Sequence, residues 1–168
     1  MNTLLILDKK DYTTDMQVIE KYSTRAVIIR GGRIAMQRGA AGDYKILGGG
    51  VELGEEYVQA LCREVQEESG LIVIPDSVRE LGEIVERRRD VFDPAVVFEC
   101  HSLYYLCEAQ EEVAEPRMTE SEIAKGYHLC WATPEEIVAG NEGFCDSCPW
   151  IDRDTRFIRM LPELIGAV

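Results

Sequence analysis

The chain has 168 residues, enough for one domain with a single core. With 31 acidic against 18 basic residues and a formal net charge of −13, it is a poor candidate for unaided binding to nucleic acid or to an anionic membrane. No apolar run approaches the roughly 18–20 residues of a membrane span, and Met1–Asp8 lacks the basic start of a signal peptide.

In chain order, Leu4–Leu7 reads as a short strand, followed by a polar segment through Asp15. Thr24–Arg30 and Arg33–Arg38 flank Gly31-Gly32, the signal of a two-residue hairpin. Arg38–Asp43 reads as a loop and Tyr44–Leu47 as a strand entering the glycine run Gly48–Gly50. The stretch from Glu55 to Ser69 contains no helix breaker and is followed by Gly70, a residue suited to closing a helix in the left-handed region. Val58, Leu61, Cys62 and Val65 recur at three- and four-residue intervals and form its buried stripe.

Beyond the helix, Leu71–Ile74 and Val78–Arg89 read as strands, and Ala95–Cys107, rich in Val, Phe and Tyr, as a central strand. Glu108–Glu122 reads as an acidic loop or short helix, Tyr127–Trp131 as a strand. Thr133-Pro134 caps and opens a helix ending near Gly140, and Asp152–Ile165 forms a terminal helix that Pro162 shortens or kinks. Strands interleaved with two or three helices point to an α/β protein, an α/β/α sandwich around a mixed β-sheet, folded as one domain over 1–168.

The chemistry concentrates in the helix of residues 55–69. Glu64, Glu67 and Glu68 stand at i, i+3 and i+4, so their carboxylates gather on one face, with Arg63 as the one basic neighbour. A solvated acidic face is the ordinary outcome of such a cluster. The glycine run ahead of it favours another: a loop that brings a backbone carbonyl beside carboxylates supplies both kinds of oxygen that Mg²⁺ or Mn²⁺ takes.

The same residues carry a resemblance. Gly49, Glu55, Arg63-Glu64, Val65, Glu67-Glu68, Gly70 and Leu71 reproduce, position by position, the signature of the Nudix (MutT-like) hydrolases. The resemblance implies the Nudix fold and metal-dependent hydrolysis of a diphosphate bond in a nucleoside diphosphate linked to another moiety, a small-molecule substrate. It implies Glu64, Glu67 and Glu68 as metal ligands with a carbonyl from Gly48 or Gly49, and an Arg63–Glu55 pair that orients helix against loop. It further implies a carboxylate from outside the signature, as ligand or general base. Glu122 is the candidate and Glu120 the runner-up. Leu47 stands where the family commonly has proline, which leaves the loop less stiffened. Homodimers are common in the family, and no stretch here marks an interface.

Substrate contacts are sought outside the signature. Arg87 and Arg89, ends of the only basic run, suit a phosphate clamp as well as a solvated strand end. Tyr44, Phe92, Tyr104, Tyr127 and Trp150 are aromatic groups for a base to stack on, with core packing the commoner role of such residues. Six cysteines, including Cys145 and Cys148 without a companion pair, read as reduced thiols of a cytoplasmic protein, with a redox pair or half a zinc site as the alternatives. A binding module of the same fold is the remaining alternative to an enzyme. Its expected mark, loss of one of Glu64, Glu67 or Glu68, is absent.

Overall fold

The computed structural model describes residues 1–166. Ten strands and four helices follow in the order β1 Thr3–Asp8, β2 Gln17–Val27, β3 Ile29–Arg30, β4 Arg33–Arg38, β5 Tyr44–Ile46, α1 Tyr57–Ser69, β6 Leu71–Val73, β7 Arg79–Arg89, β8 Val96–Leu106, β9 Ala109–Val113, α2 Glu120–Ala124, β10 His128–Ala132, α3 Pro134–Asn141 and α4 Pro149–Gly166.

Two four-stranded sheets form the middle layer. In the first, β1-β7-β8-β2, the outer pairs are parallel and the central pair antiparallel. In the second, β4 pairs antiparallel with β10 on one edge and with β3 and β5 on the other. The sheets meet where Thr24 and Ala26 of β2 donate their N–H groups to Gly49 and Leu47, at 2.9 and 2.8 Å. β6 and β9 make a separate antiparallel pair.

Alternation along the strands feeds two cores. Ala26, Ile28, Ala35, Leu103 and Tyr105 face α1 and pack on Leu61 and Val65. Val27, Ile34, Met36, Ile46, Ile84 and Tyr104 face the other way, onto Ile137 of α3 and Phe157, Ile158 and Leu161 of α4. Burying either row leaves the sheet's other face to be covered, which is why helices flank both sides. The result is the expected α/β/α sandwich, its middle layer made of one mixed and one antiparallel sheet. No helix among the described residues is long and apolar enough to cross a membrane.

Several expectations are corrected. β2 begins at Gln17 rather than Thr24: its first six residues are exposed, and Val18, Ile19 and Tyr22 among them do not alternate with polar residues as a half-buried strand would. The acidic stretch after residue 108 holds a strand, β9, as well as the short helix α2. The last helix starts at Pro149.

Candidate active site

The site is held by three braces. On the first, α3 and α4 grip the strand that leads into the glycine run. Asn141 accepts from the Tyr44 N–H at 2.7 Å and donates to the Tyr44 carbonyl at 3.0 Å, and Asp154 accepts from the Ile46 N–H at 3.0 Å. Asp154 is itself bound by Arg153 at 2.9 Å and by the Tyr104 hydroxyl at 3.3 Å, while Arg153 reaches Glu86 at 2.8 Å. All four are buried, so the charges are compensated where water cannot reach them.

The second brace is the glycine run. Gly48 has φ +130°, and a Cβ there would land on the Thr24 carbonyl oxygen. Its N–H donates to Glu68 Oε2 at 2.7 Å and its carbonyl accepts from the buried Arg25 guanidinium, so the peptide is clamped from both ends. Gly49 offers its bare Cα to the Glu64 carboxylate, which fills the space a side chain would need. Leu47 is fully buried in the α1-side core, so packing steadies the entry to the glycine run.

The third brace is Arg63. Its Nε and Nη2 bind the two oxygens of Glu55 at 2.8 and 2.9 Å, and Nη2 also donates to the Gly50 carbonyl at 3.0 Å. Loop and helix are thereby tied side-on. The guanidinium hydrogen bonds hold the Glu55 carboxyl down at about 2, and the same bonds, against partial burial, raise Arg63. Helix α1 starts with a reciprocal cap between Glu56 and Gln59 and ends at Gly70, φ +76°.

The acidic cluster divides in two. Arg63 Nη1 sits between Glu64, at 2.7 Å, and Glu67, at 3.4 Å. Glu68 turns inward instead, 3% exposed, and its Oε1 accepts from Lys45 Nζ at 2.6 Å. Burial pushes the Glu68 carboxyl up to about 7, against the pull of Lys45 and of the Gly48 N–H. Lys45 also lies 3.5 Å from Glu122 Oε1, so Glu122 of α2 faces Glu68 across one ammonium. Partial burial raises the Glu122 carboxyl, but bonds from Thr119 and the Lys45 charge leave it below the usual range. Glu120 is exposed at the start of the same helix and makes none of these contacts. Among the described residues no three acidic, histidine or cysteine side chains converge on a single metal-binding point.

The expected substrate contacts fare differently. Tyr44 is 7% exposed, a member of the α4-side core with the Arg38 guanidinium over its ring, and so is withdrawn from that role. Arg87 pairs with Glu99 at 3.1 Å, and the Arg89 N–H is held by Asp11 at 2.8 Å. Neither bonds to the glycine run or α1. Tyr104 is buried and stacked on Phe157, centroids 3.7 Å apart. Phe92 is exposed on a turn remote in sequence from the cluster, whereas Tyr127 and Trp150 line a cavity of about 370 Å³ beside the end of α2. All six cysteines are free, and Cys145 and Cys148 line different cavities.

Arg25 and Lys45 escaped the reading of the sequence. Lys45 is the one charge in the short strand β5, and Arg25 directly precedes the buried run Ala26–Ile28; a cation set against apolar neighbours is the signal that would have found them.

The sequence model described as NUDIX domain matches residues 20–146. In structure the chain is similar to a MutT NUDIX hydrolase from Burkholderia pseudomallei, at 23% identity and TM-score 0.51 over 70% of this chain and 85% of that one. It is similar to the E. coli ORF135 protein at 24% identity and TM-score 0.52, covering 93% and 96%. A NUDIX hydrolase from Nitrosomonas europaea gives 17% identity and TM-score 0.54, covering 73% and 78%. At these identities the structural likeness speaks to the fold. No curated protein matches the chain in sequence.

Proposed function

The chain belongs to the NUDIX family of pyrophosphohydrolases, and from that premise we propose that it cleaves the diphosphate bond of a nucleoside diphosphate linked to another moiety, in dependence on Mg²⁺ or Mn²⁺. The observation that carries the reading is a set of four carboxylates by the glycine run: Glu68 on the Gly48 N–H, Glu64 against Gly49, Glu67 beside Glu64 on Arg63, and Glu122 across Lys45 from Glu68.

The donor set fits a hard divalent ion. It consists of carboxylate oxygens and a backbone carbonyl, with no soft ligand among them. Glu64, Glu67 and Glu68 are the residues that would hold the ion, with the carbonyl of Gly48 or Gly49. When bound, such an ion neutralises charge on phosphoryl oxygens and lowers the pKa of a bound water.

The chain's own residues supply the positioning. Arg63 fixes loop to helix through Glu55 and Gly50, and Glu68 fixes the Gly48 peptide. Glu122, across Lys45 from Glu68, is the residue we assign as base for the attacking water; the choice over Glu120 rests on its facing Glu68 and Lys45. The six free thiols favour a reducing, cytoplasmic setting.

The test is phosphate release from ADP-ribose, other nucleotide sugars, dinucleoside polyphosphates and nucleoside triphosphates, with Mg²⁺ or Mn²⁺, in wild type and Glu68→Gln. Metal-dependent release from one class, lost in a variant that keeps its circular dichroism, supports the reading. Release unchanged in Glu68→Gln removes α1 as the catalytic centre.

A further inference from the structure

The four carboxylates are not equally open. Each Glu68 oxygen already has a protein donor, Lys45 Nζ at 2.6 Å on Oε1 and the Gly48 N–H at 2.7 Å on Oε2. Glu122 is closed likewise: Oε2 accepts from the Thr119 N–H and hydroxyl at 2.8 and 2.9 Å, and Oε1 faces Lys45 at 3.5 Å. Glu64 and Glu67 each spend one oxygen on Arg63, and their other oxygens have no protein donor. One half of the centre is therefore open to a cation and the other is filled by an ammonium.

Lys45 is held there by its strand. β5 pairs with β4 so that Lys45 lies opposite Gln37 on the α1 side, and the Lys45 ammonium stands 5.9 Å from the Tyr127 ring. Its side chain is 19% exposed, against 3% for Glu68 and 18% for Glu122. A cation so sheltered between two carboxylates offsets the cost of burying both. A divalent ion entering at Glu68 meets that charge at a few ångströms, where like charges in a partly dry site repel strongly.

We propose that Lys45 is the internal counter-cation of the Glu68–Glu122 pair: it competes with the divalent ion for Glu68, and on displacement its ammonium passes to an anionic oxygen of the substrate diphosphate. The inference rests on the metal-dependent reading above. Two consequences follow. Lys45 lowers metal affinity in the substrate-free protein, and metal and substrate each tighten the other, since either one lessens the cost of moving the ammonium.

The experiment is a Mn²⁺ titration of the full chain without substrate, followed by the electron paramagnetic resonance of free Mn²⁺, in wild type, Lys45→Met, Lys45→Arg and Glu68→Gln. Lys45→Met is expected to bind Mn²⁺ about tenfold tighter, within the usual range of coupling between sites, and Lys45→Arg close to wild type. A non-hydrolysable methylene analogue of ADP is expected to tighten Mn²⁺ binding in wild type and to have little further effect in Lys45→Met. Should Lys45→Met be too unstable to titrate, the rise in its melting temperature with Mn²⁺ serves, and is expected to exceed that of wild type. Mn²⁺ affinity unchanged or weaker in Lys45→Met, with binding weakened in Glu68→Gln, overturns the proposal and leaves Lys45 a structural brace. Mn²⁺ binding unaffected in Glu68→Gln overturns the metal reading itself, and the proposal with it.

Discussion

The carboxylate of Asp154 accepts the backbone N–H of Ile46 at 3.0 Å across 108 residues of sequence. Through that bond the terminal helix sets the position of the strand that ends in the glycine run. Asp154 also neutralises Arg153 and takes the Tyr104 hydroxyl, so one buried side chain serves three elements.

Asp154→Ala is accordingly expected to leave a buried guanidinium and a buried N–H short of a partner. Breaking a buried pair from one side costs about 3–5 kcal/mol. Urea unfolding checks it, with a lowered midpoint at unchanged slope. The Arg153→Ala variant should lose a similar amount by stranding Glu86 and Asp154.

Glu122→Gln keeps the shape of the side chain and its Thr119 contacts while removing the charge that faces Lys45. Turnover is expected to fall at least about tenfold, below the usual worth of a positioned base but enough to detect. Glu120→Gln, on the exposed start of the same short helix, should stay near wild type. Steady-state rates on the two variants, with circular dichroism as the control for folding, decide between them.

Glycine is required unequally along the run. Gly48→Ala combines a φ of +130° with a collision against the Thr24 carbonyl, whereas a Cβ at Gly50 meets nothing within 4 Å. Gly48→Ala should cost at least about 1–3 kcal/mol from backbone strain alone and abolish activity. Gly50→Ala should remain folded and active. Melting temperatures and rates of the pair give the comparison.

The Arg63–Glu55 pair has a pH signature. Glu55 titrates near 2 in the folded protein, below an ordinary glutamate, so the unfolded chain binds the proton more readily. Its contribution is complete above the ordinary value of 4.5 and is lost as pH falls toward 2. Wild type should therefore exceed Glu55→Gln in stability at neutral pH, and the gap should close on acidification. Parallel chemical denaturation at pH 7, 4 and 3 tests the sign.

The Arg87 guanidinium is committed to Glu99, and the Arg89 Nε donates to the Asp11 backbone carbonyl. Replacing either by alanine is expected to change KM by less than about fivefold, the scale of a half-exposed ion pair for Arg87 and of one exposed hydrogen bond for Arg89. A larger rise on either variant would return that arginine to the substrate.

Helix α1 was legible because everything it needs is local: apolar spacing, a glycine stop and carboxylates within one turn of each other. The hairpin around Gly31-Gly32 was legible for the same reason. The inward turn of Glu68 was not, since i, i+3, i+4 spacing places three carboxylates on one side without saying which of them meets the sheet. Nor was the withdrawal of Tyr44, whose burial is decided by Gly140 and Asn141 about a hundred residues away. The start of β2 stayed hidden because an exposed edge strand carries no apolar alternation. Lys45 and Arg25 gain their meaning only from the partners that long-range pairing brings to them.

The parallel pairing of β2 with β8 bears on how the chain is made. Gln17 finds Val96, and every later pair keeps the same offset of 79 residues through Val27 and Leu106. During synthesis β2 emerges, and the glycine run and α1 after it, long before the strand that completes their sheet. Asn141 and Asp154, which secure β5, leave the ribosome later still. Loop closure over such distances slows folding and leaves an unpaired edge exposed meanwhile. The signature of the family is thus translated early, and the strand that leads into it is secured only once α4 has been delivered.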